Sequence, residues 1–393
     1  MTEQLYLIDS YLFSCKTEII DIINENGCFS LVFDKTPFFS GGGGQSSDNG
    51  FVESIVITEA FEKNGVIYHR IAEKYCPFSA GDLVLVSVDS DSRIERMRAH
   101  TGEHIVSGIA HNLFGVENVG FHMDDNMIMT VDFDKYLDKS QLHLLEIEAN
   151  KCVMKNLRVS ADIYSVDDAA ALNYRSKLDF DKDVRIVEIE KTDRCACCAP
   201  HLKNTGEVGF IKILSSASHR GGVRITLICG ETAYSELEKR YNQIMKISAM
   251  LCSEYDKADI AVADLIEANK NLRYEKDMLN NKLLDYISST IESDEIIIRF
   301  FDGLSMDELR YINNNLKSKC KLSLLFSGND SSGFSYSFMA ESLSLDRLVR
   351  DFNNSLGGRG GGRGGLVQGK VSSFKEQIYK YLNEMKVENY ENA

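Results

Sequence analysis

Two short motifs that lie far apart in the chain each carry a pair of potential metal ligands. His100 and His104 stand in the run RMRAHTGEHIVSG, and Cys197 and His201 stand in CACCAPHLKNTGEVG. Each pair has the i, i+4 spacing that puts two side chains on one side of a helix, or its equivalent in a loop. Three imidazoles and one thiolate suit a single zinc ion. A site built from two distant segments constrains the fold and suggests a hydrolytic chemistry.

Other interpretations compete with this site. In HTGEH the glutamate precedes the second histidine instead of following the first, which disfavours metalloprotease chemistry. Cys195 and Cys198 have the C-x-x-C spacing, so a structural zinc on the cysteine cluster remains an alternative. The other histidines are isolated in the sequence, and we interpret them as surface or hydrogen-bonded core residues: His69, His111, His122, His143 and His219.

The composition indicates a protein of several domains in a reducing compartment. With 393 residues, of which 44% are hydrophobic, two to three domains with normal cores are expected. Ten cysteines in so long a chain do not indicate a disulfide scaffold. We find no signal-peptide pattern and no apolar run of membrane-spanning length, and expect a cytoplasmic protein without a membrane partner. The net charge of −15 argues against a broad nucleic-acid-binding surface but allows a local basic groove.

The predicted fold class is α+β. Residues 1–90 contain short β-branched runs separated by turn signals and predict a small β-barrel domain. Its loop TPFFSGGGGQSSDNG, residues 36–50, has four consecutive glycines that let a backbone approach a ligand, although a flexible hairpin tip is an equal alternative. Residues 91–230 predict a zinc-containing domain around an antiparallel sheet. Its predicted elements are helices at 91–115 and 139–156, strands at 127–133 and 184–190, and a hairpin at 209–230.

The second half of the chain predicts a helical arm and a further α/β domain. Apolar residues follow heptad spacing through residues 231–290, with a break near Asp256–Asp259, so this arm either forms a coiled-coil-like dimer contact or packs on its own domain. Residues 291–393 predict the α/β domain. It contains a glycine-rich segment that carries Arg359, Arg363 and Lys370, and such a segment is suited to an anion or an RNA backbone.

These motifs together resemble a known family, the editing domains of alanyl-tRNA synthetases and the free-standing AlaX-type editing proteins. The family has HxxxH and CxxxH zinc motifs, an upstream glycine-rich loop and a downstream TGE-[IV]-G run. Here these are the two ligand pairs, TPFFSGGGGQ and TGEVG. The tail resembles the glycine-rich C-terminal domain of the same synthetases. With the arm included, the resemblance covers nearly the whole chain and indicates the long form of AlaX.

The resemblance implies a trans-editing hydrolase that deacylates tRNA(Ala) charged with serine, and in some cases with glycine. A synthetase pocket built for alanine cannot strongly reject either amino acid, which is why a second hydrolytic site is needed. The resemblance also implies one zinc ion per chain on His100, His104, Cys197 and His201. The zinc would bind or orient the aminoacyl group, for example through its amino group, or it would polarise a bound water that attacks the ester, and no side chain is assigned as general acid or base. A homodimer through the arm and the C-terminal domain is expected.

Roles for the glycine-rich loop also follow from the resemblance. Thr36 is a candidate for sensing the serine hydroxyl, and Gln45 is a candidate for contacting the adenosine or the ester. The backbone amides of Gly42, Gly43 and Gly44 are candidates for holding the terminal ribose or a developing oxyanion. The family often has Cys-Gly-Gly-Thr-His where this chain has CCAPH, so the loop backbone can differ. Four protein ligands would close the zinc shell, and whether the metal is catalytic or structural stays open.

Two other functions compete with this interpretation. One is editing of another mischarged tRNA, because threonyl-tRNA synthetases carry a related domain; the alanine-type tail disfavours it. The other is a non-catalytic tRNA-binding protein with a structural zinc, which a deacylation assay would separate from the enzyme. A DHH-type phosphoesterase is disfavoured because the chain has no Asp-His-His run.

Overall fold

The structure is a computed structural model that describes residues 2–25, 27–176, 183–341, 344–363 and 365–385. The chain divides into two compact units, Met1–Ile247 and Ser248–Ala393. Both units combine helices with sheets whose neighbouring strands are mostly antiparallel, and the predicted α+β class is confirmed. The finer division at residues 90, 230 and 290 stays a prediction.

The first unit begins with a small barrel. Its strands are β1 (Glu3–Gln4), β2 (Ser14–Glu25), β3 (Cys28–Phe33), β4 (Lys35–Thr36), β5 (Gly50–Val52), β6 (Ile55–Lys63), β7 (Val66–Ile71) and β8 (Leu83–Val88). Six of them close in the order β2-β3-β7-β6-β5-β8, and β1 pairs in parallel with β4. Alternating apolar residues such as Ile19, Leu31 and Ile57 fill the interior. The glycine-rich loop joins β4 to β5.

Two sheets and two long helices complete the first unit up to residue 229. The elements are α1 (Ser90–Phe114), β9 (Asn118–Met123), β10 (Met129–Phe133), α2 (Lys139–Met154), β11 (Val159–Tyr164), α3 (Val166–Ala170), β12 (Val184–Ile189), β13 (Asp193–Ala196), β14 (Ile211–His219) and β15 (Gly222–Cys229). The sequence predicted one antiparallel sheet here, whereas the described residues form two, β14-β15-β10-β9 and β11-β12-β13. Met97, Ile105 and Val106 of α1 belong to the large apolar core of this region.

The heptad region forms two helices, α4 (Gly230–Met250) and α5 (Ala258–Thr290), with a short 3-10 turn at Tyr255–Lys257 between them. The break predicted near Asp256–Asp259 therefore lies close to the observed one. Helix α5 exposes nearly all of its length, and only Leu284 and Ser288 of it are buried. No helix among the described residues is long and apolar enough to cross a membrane.

The rest of the second unit is one sheet with flanking helices. Its elements are β16 (Ile296–Phe301), α6 (Met306–Leu316), β17 (Leu322–Asn329), β18 (Gly333–Ala340), α7 (Asp346–Leu356), β19 (Arg359–Arg363), β20 (Leu366–Val371) and α8 (Lys375–Glu384). The strand order is β16-β17-β18-β20-β19, in which β16 and β17 are parallel and the other neighbours are antiparallel. The glycine-rich segment thus provides two paired strands of this sheet.

Candidate metal centre

Helix α1 presents the first ligand pair on a buried face. The helix starts after Asp89, whose side chain accepts a hydrogen bond from the backbone N–H of Ser92, and it ends at Gly115 in the left-handed region. His100 and His104 lie one turn apart, and their ring centroids are 5.4 Å apart. Both imidazoles therefore point to the same side of α1, as their spacing predicted.

Two glycines of α1 let neighbouring strands approach the helix closely. A Cβ at Gly102 would lie 2.3 Å from the sulfur of Cys229 in β15, and a Cβ at Gly108 would lie 2.6 Å from Cβ of Asp193 in β13. Glycine inside a helix costs about 1 kcal/mol relative to alanine. Because Gly108 has no side chain, β13 can approach α1 closely enough for Asp193 to contact His104.

The second ligand pair lies in the loop that follows β13. Arg185 of the neighbouring strand β12 holds this loop, because its Nη1 donates to the carbonyl oxygens of Cys197 at 2.8 Å and Ala199 at 2.9 Å. The backbone N–H of Cys197 donates in return to the carbonyl of Arg185. The loop is also tied at His201, whose carbonyl accepts from the hydroxyl of Ser10 at 2.6 Å. Hydrogen bonds from the side chains of Arg185 and Ser10 thus hold the backbone of this loop in place.

The ligand atoms of the two pairs converge at a spacing that suits zinc. The sulfur of Cys197 lies 3.6 Å from Nε2 of His100 and 3.4 Å from Nε2 of His201. With His104 included, the four ligand atoms all lie within 4.8 Å of one another. A tetrahedral ion with Zn–S of about 2.3 Å and Zn–N of about 2.1 Å separates sulfur from nitrogen by about 3.6 Å. The residues therefore fit this ion.

On each of the three histidines, Nδ1 meets a side-chain oxygen and Nε2 is left for the centre. The pairs are His100 with Gln45 at 2.7 Å, His104 with Asp193 at 2.9 Å, and His201 with Thr101 at 3.1 Å. Protein zinc sites commonly orient their histidines in this way, because the outer partner fixes the tautomer and the direction of the ring. A core histidine cluster without a metal would not require all three rings to share this pattern.

Asp193 has a fixed charge in this arrangement. Arg175 donates to it through Nε at 2.7 Å and Nη2 at 2.8 Å. Burial alone would raise the pKa of Asp193, but hydrogen bonds from His104 and Arg175 outweigh burial and lower this pKa to about 2. Burial would lower the pKa of His104, and the hydrogen bond to Asp193 outweighs it and raises this pKa. The proton between Asp193 and His104 thus stays on Nδ1.

Cys197 lies in an environment that favours its thiolate. Burial would raise the pKa of the Cys197 thiol, but the neighbouring His100 and the hydrogen bonds from His100 and His104 outweigh burial and bring this pKa well below its ordinary value. Burial lowers the pKa of His201 to about 3, against the opposing effect of Cys197, so that imidazole is neutral at pH 7. A thiolate and neutral imidazoles are the protonation states in which these side chains bind metals.

A cavity of about 460 Å³ opens beside three of the four candidate ligands, His100, His104 and Cys197. The glycine-rich loop forms one wall through Gly41, Gly42 and Gly43, and Phe39 and Phe121 contribute aromatic surface. The cavity also contacts His100, His104, Glu103, Arg185 and Cys197. Its volume lies in the range typical of sites for small organic ligands.

Comparison with known proteins shows which sequences this chain resembles. A family model described as "Threonyl and Alanyl tRNA synthetase second additional domain" matches residues 184–226, which include Cys197 and His201. The alanyl-tRNA editing protein AlaX-L of Pyrococcus horikoshii is 24% identical over 396 residues, which cover 96% of this chain and 97% of that protein. This chain is a homologue of AlaX-L. The resemblance found in the sequence motifs is confirmed.

Alanine–tRNA ligases match as well. The enzyme of Methanococcus maripaludis strain S2 is 27% identical over 363 residues, or 88% of this chain, and that of Pyrococcus abyssi is 29% identical over 402 residues, or 96% of this chain. The chain spans 40% and 43% of the length of these two relatives. Among solved structures, the C-Ala domain of Aquifex aeolicus alanyl-tRNA synthetase aligns with a TM-score of 0.21 at 20% identity, covering 24% of this chain and 93% of that domain.

Thr36, the predicted serine sensor, lies outside the residues that line the cavity. Thr36 is fully buried, and its Oγ1 lies 2.8 Å from Nε2 of His69 and accepts from the backbone N–H of Phe38. Nδ1 of His69 faces the carbonyl of Leu31, which can only accept, so Nδ1 carries the proton and Nε2 accepts from Thr36. The expected role of Thr36 in sensing serine stays a prediction.

Of the other predicted loop residues, some line the cavity and the others pack behind its wall. Gly42 and Gly43 line the cavity, and a Cβ at either position would meet open space. Gly44 has a positive φ of 88°, and a Cβ there would lie 2.5 Å from the carbonyl oxygen of Phe121, so only glycine fits. Gln45 is buried against His100, and its Nε2 has no partner among the described atoms.

The sequence motifs did not identify several residues that shape this site. Asp193, Arg175 and Arg185 are ordinary charged residues in the sequence, and only the folded chain places them behind the ligands. Glu103 stands within the HTGEH motif, where it served only to exclude a metalloprotease. The described residues contain two groups of potential metal ligands: the four candidate ligands above, and a second group formed by His104, Asp193 and Cys195. Cys198 belongs to neither group, so the alternative zinc site on Cys195 and Cys198 finds no support.

The predicted tRNA-binding residues lie in the second unit. Arg359 and Lys370 face each other across β19 and β20, and both are exposed. The side chain of Arg363 lies outside the described part of the structure. The RNA contacts expected for these residues stay predictions.

Proposed function

We propose that this chain is a trans-editing hydrolase that cleaves the aminoacyl ester of tRNA(Ala) mischarged with serine, and with glycine as a further substrate. One observation carries the proposal: three members of a His3Cys ligand cluster line one cavity with the glycine-rich loop, in a chain homologous over nearly its whole length to a protein named as an alanyl-tRNA editing protein. A protein that acts on tRNA in this way would work in the cytoplasm, where tRNA is charged and used.

His100, His104, Cys197 and His201 would hold one zinc ion. When bound, zinc supplies a Lewis acid that polarises and orients the aminoacyl group. Gln45, Asp193 and Thr101 keep the imidazoles in the ligating tautomer. Since four protein ligands complete a tetrahedral shell, we expect the metal to position the cavity wall as much as to activate the ester.

The glycine-rich loop supports the substrate part of the proposal. Gly42 and Gly43 turn an unobstructed backbone towards the cavity. The N–H of Gly42 already donates to the carbonyl of Gln45 at 3.0 Å, so we expect the N–H of Gly43 to donate to a ribose hydroxyl or to charge that develops on the ester oxygen. The half-buried Phe121 offers flat apolar surface on which an adenine ring can stack, whereas Phe39 belongs to the buried core beneath the loop. Thr36 and Gln45 lie behind this wall and would act on the substrate through it.

The test of the reaction is a deacylation assay on three esters. Zinc-loaded protein is incubated with Ser-tRNA(Ala), Gly-tRNA(Ala) and Ala-tRNA(Ala), and the remaining ester is counted. We expect loss of the seryl ester, slower loss of the glycyl ester, and a stable alanyl ester. Intact Ser-tRNA(Ala) would exclude the enzyme.

The test of the metal compares neighbouring cysteines. Cys197→Ala removes a ligand and should lower zinc content and deacylation together, whereas Cys198→Ala, outside the ligand group, should keep its zinc. Asp193→Asn should weaken zinc affinity by about tenfold to a hundredfold, because His104 loses a charged partner. Full activity in zinc-depleted Cys197→Ala protein would contradict a metal-dependent site.

A second candidate is favoured by the closed ligand set: a tRNA-binding protein in which zinc is structural. It predicts binding of tRNA(Ala) without ester loss, so the deacylation assay separates it from the enzyme. For either function, we propose that Arg359, Arg363 and Lys370 contact the tRNA backbone. Charge reversal at Arg359 should weaken tRNA binding and reduce its salt dependence.

A further inference from the structure

We propose that Glu103 binds the α-ammonium group of the aminoacyl ester, and that the cavity thereby selects esters whose amino group is free and charged. The inference rests on the proposed function, since the ammonium belongs to the aminoacyl group that the cavity would take. Serine and glycine esters share this cation, whereas an N-acylated or peptidyl ester lacks it. Glu103 would therefore recognise the feature common to the proposed substrates.

Glu103 is held rigidly in the cavity wall. It lies on α1 between the two ligand histidines and is 4% exposed. Its Oε1 accepts hydrogen bonds from the hydroxyl of Ser107, one turn further along α1, and from Nδ2 of Asn118 at 2.5 Å. Both donors engage the same oxygen, so the carboxylate has one orientation.

The second oxygen of Glu103 lies on the side of the ligand cluster. Oε2 is 3.9 Å from Nε2 of His104, the atom that faces the metal centre. Within the described residues, no hydrogen bond or ion pair to a lysine or arginine engages this oxygen. Arg175, which also lines the cavity, pairs with Asp193. The carboxylate thus presents one oxygen beside the ligands and next to the space where the aminoacyl group would lie.

A carboxylate in such a position, with only His104 at 3.9 Å within ion-pair distance among the described residues, is costly for folding alone. A buried charge without a close cation loses solvation that two neutral donors replace only in part. A leucine or alanine at this helix position would avoid the cost. A carboxylate there becomes favourable when a cation enters the cavity, and a primary ammonium has the size and the donors to reach Oε2 directly.

The experiment uses two non-hydrolysable ligands that differ only in the group of interest. In both, 3′-amino-3′-deoxyadenosine is acylated through an amide; one carries L-serine and the other L-glyceric acid, in which a hydroxyl replaces the ammonium. Dissociation constants are measured by calorimetry for the zinc-loaded wild type and for Glu103→Gln. Wild type should bind the serine ligand roughly tenfold to a hundredfold more tightly, and Glu103→Gln should bind both about equally.

Controls separate charge recognition from damage to the site. Glu148→Gln makes the same change at a partly exposed glutamate on α2 that pairs with Lys151, and it should keep the wild-type preference. Zinc content and thermal unfolding show whether Glu103→Gln retains the folded, loaded site. If that variant does not fold, the wild-type preference still decides, because equal affinity of wild type for both ligands would overturn the proposal.

The remaining outcomes are also decisive. A preference for the serine ligand that survives in Glu103→Gln would place the ammonium elsewhere, and failure of wild type to bind either ligand would also overturn the proposal. Hydrolysis of Ser-tRNA(Ala) by wild type is measured in parallel. Hydrolysis without an ammonium preference would leave the proposed function intact and reject only the role of Glu103.

Discussion

At the scale of single residues, His69 shows how burial fixes a protonation state away from the metal centre. The ring is fully buried in the barrel between Phe33 and Phe38 and binds Thr36 and the Leu31 carbonyl. Burial lowers the pKa of His69 to about 4, and the hydrogen bond to the Leu31 carbonyl opposes this only weakly. No charged side chain is among its described contacts. The imidazole is therefore neutral at pH 7 and holds the start of the glycine-rich loop.

This neutral histidine predicts a loss of stability in mild acid. Between pH 6.5 and 4 the unfolded chain binds a proton that folded His69 does not, so the stability is fully present above pH 6.5 and is lost as the pH falls towards 4. From pH 7.5 to 5, wild type should lose about 2 kcal/mol more unfolding free energy than His69→Gln. Urea titrations with a chelator present measure this difference. Identical pH dependence in the two proteins would show that His69 titrates normally.

The same scale shows what sequence reasoning can and cannot see in a site. The four ligands were predicted because His100 and His104 share a helix face and because the second pair repeats that spacing. Their partners Gln45 and Asp193 were not assigned as partners, since each reaches its histidine across more than 50 residues of chain. Contacts of this kind depend on how elements pack, which no local pattern encodes.

At the scale of elements, one buried ion pair joins α1 to the glycine-rich loop. Arg93 and Asp48 are both completely buried, and Nε of Arg93 lies 3.0 and 2.9 Å from the two carboxylate oxygens. Arg93 also donates to the Pro37 carbonyl at 2.7 Å, and Asp48 accepts from the backbone N–H of Phe39 at 2.7 Å. The pair thus closes the base of the loop and fixes it to the helix that carries two ligands.

Breaking this pair should destabilise the first unit strongly. Arg93→Met or Asp48→Asn leaves the other charge buried, which should cost about 3–5 kcal/mol of unfolding free energy. The double variant should lose clearly less than the sum, because both fully buried charges are then gone; Arg96, 4.0 Å from Asp48, loses its carboxylate equally in Asp48→Asn and in the double variant. Denaturant titrations give the three values, and Glu59→Gln serves as the control because it breaks the exposed pair with Arg70 and should cost below about 1 kcal/mol. Additive losses would mean that the two residues act independently.

The glycine-rich tail illustrates where element prediction ends. Its composition predicted a segment with exposed amides, whereas the chain forms the paired strands β19 and β20. A Cβ at Gly360 or Gly369 would lie 2.4 or 2.3 Å from the hydroxyl of Tyr336, so this ring needs glycine on two adjacent strands. Helices α1 and α2 were predicted within one or two residues, because helical periodicity is local. Strand pairing is not local, and glycine content alone cannot distinguish flexibility from close packing.

At the scale of the whole molecule, α5 presents an apolar row with no partner among the described residues. Leu265, Leu272, Leu279 and Tyr286 recur every seven residues and are each more than half exposed. Monomeric proteins rarely expose a continuous apolar patch of this kind. We propose that a second copy of the chain covers this row in a coiled-coil contact.

A single charge tests that contact. Leu272→Lys should place a cation in the seam and shift the protein towards the monomer mass in sedimentation experiments. Asn271→Lys adds the same charge one position away, outside the row, and should keep the wild-type mass. A monomeric wild type, or equal masses for the two variants, would reject this row as the dimer contact.

The division of the ligand set between α1 and the loop after β13 has a consequence for biosynthesis. His100 and Cys197 are separated by 97 positions. At about 5–20 residues per second, the ribosome delivers the second pair roughly 5–20 s after the first. Two histidines alone cannot complete a tetrahedral shell, so a nascent chain that ends before residue 201 exposes an unfinished site. Loading of the proposed zinc would therefore follow the synthesis of residue 201, and a bound ion would mark a chain that has passed this point of translation.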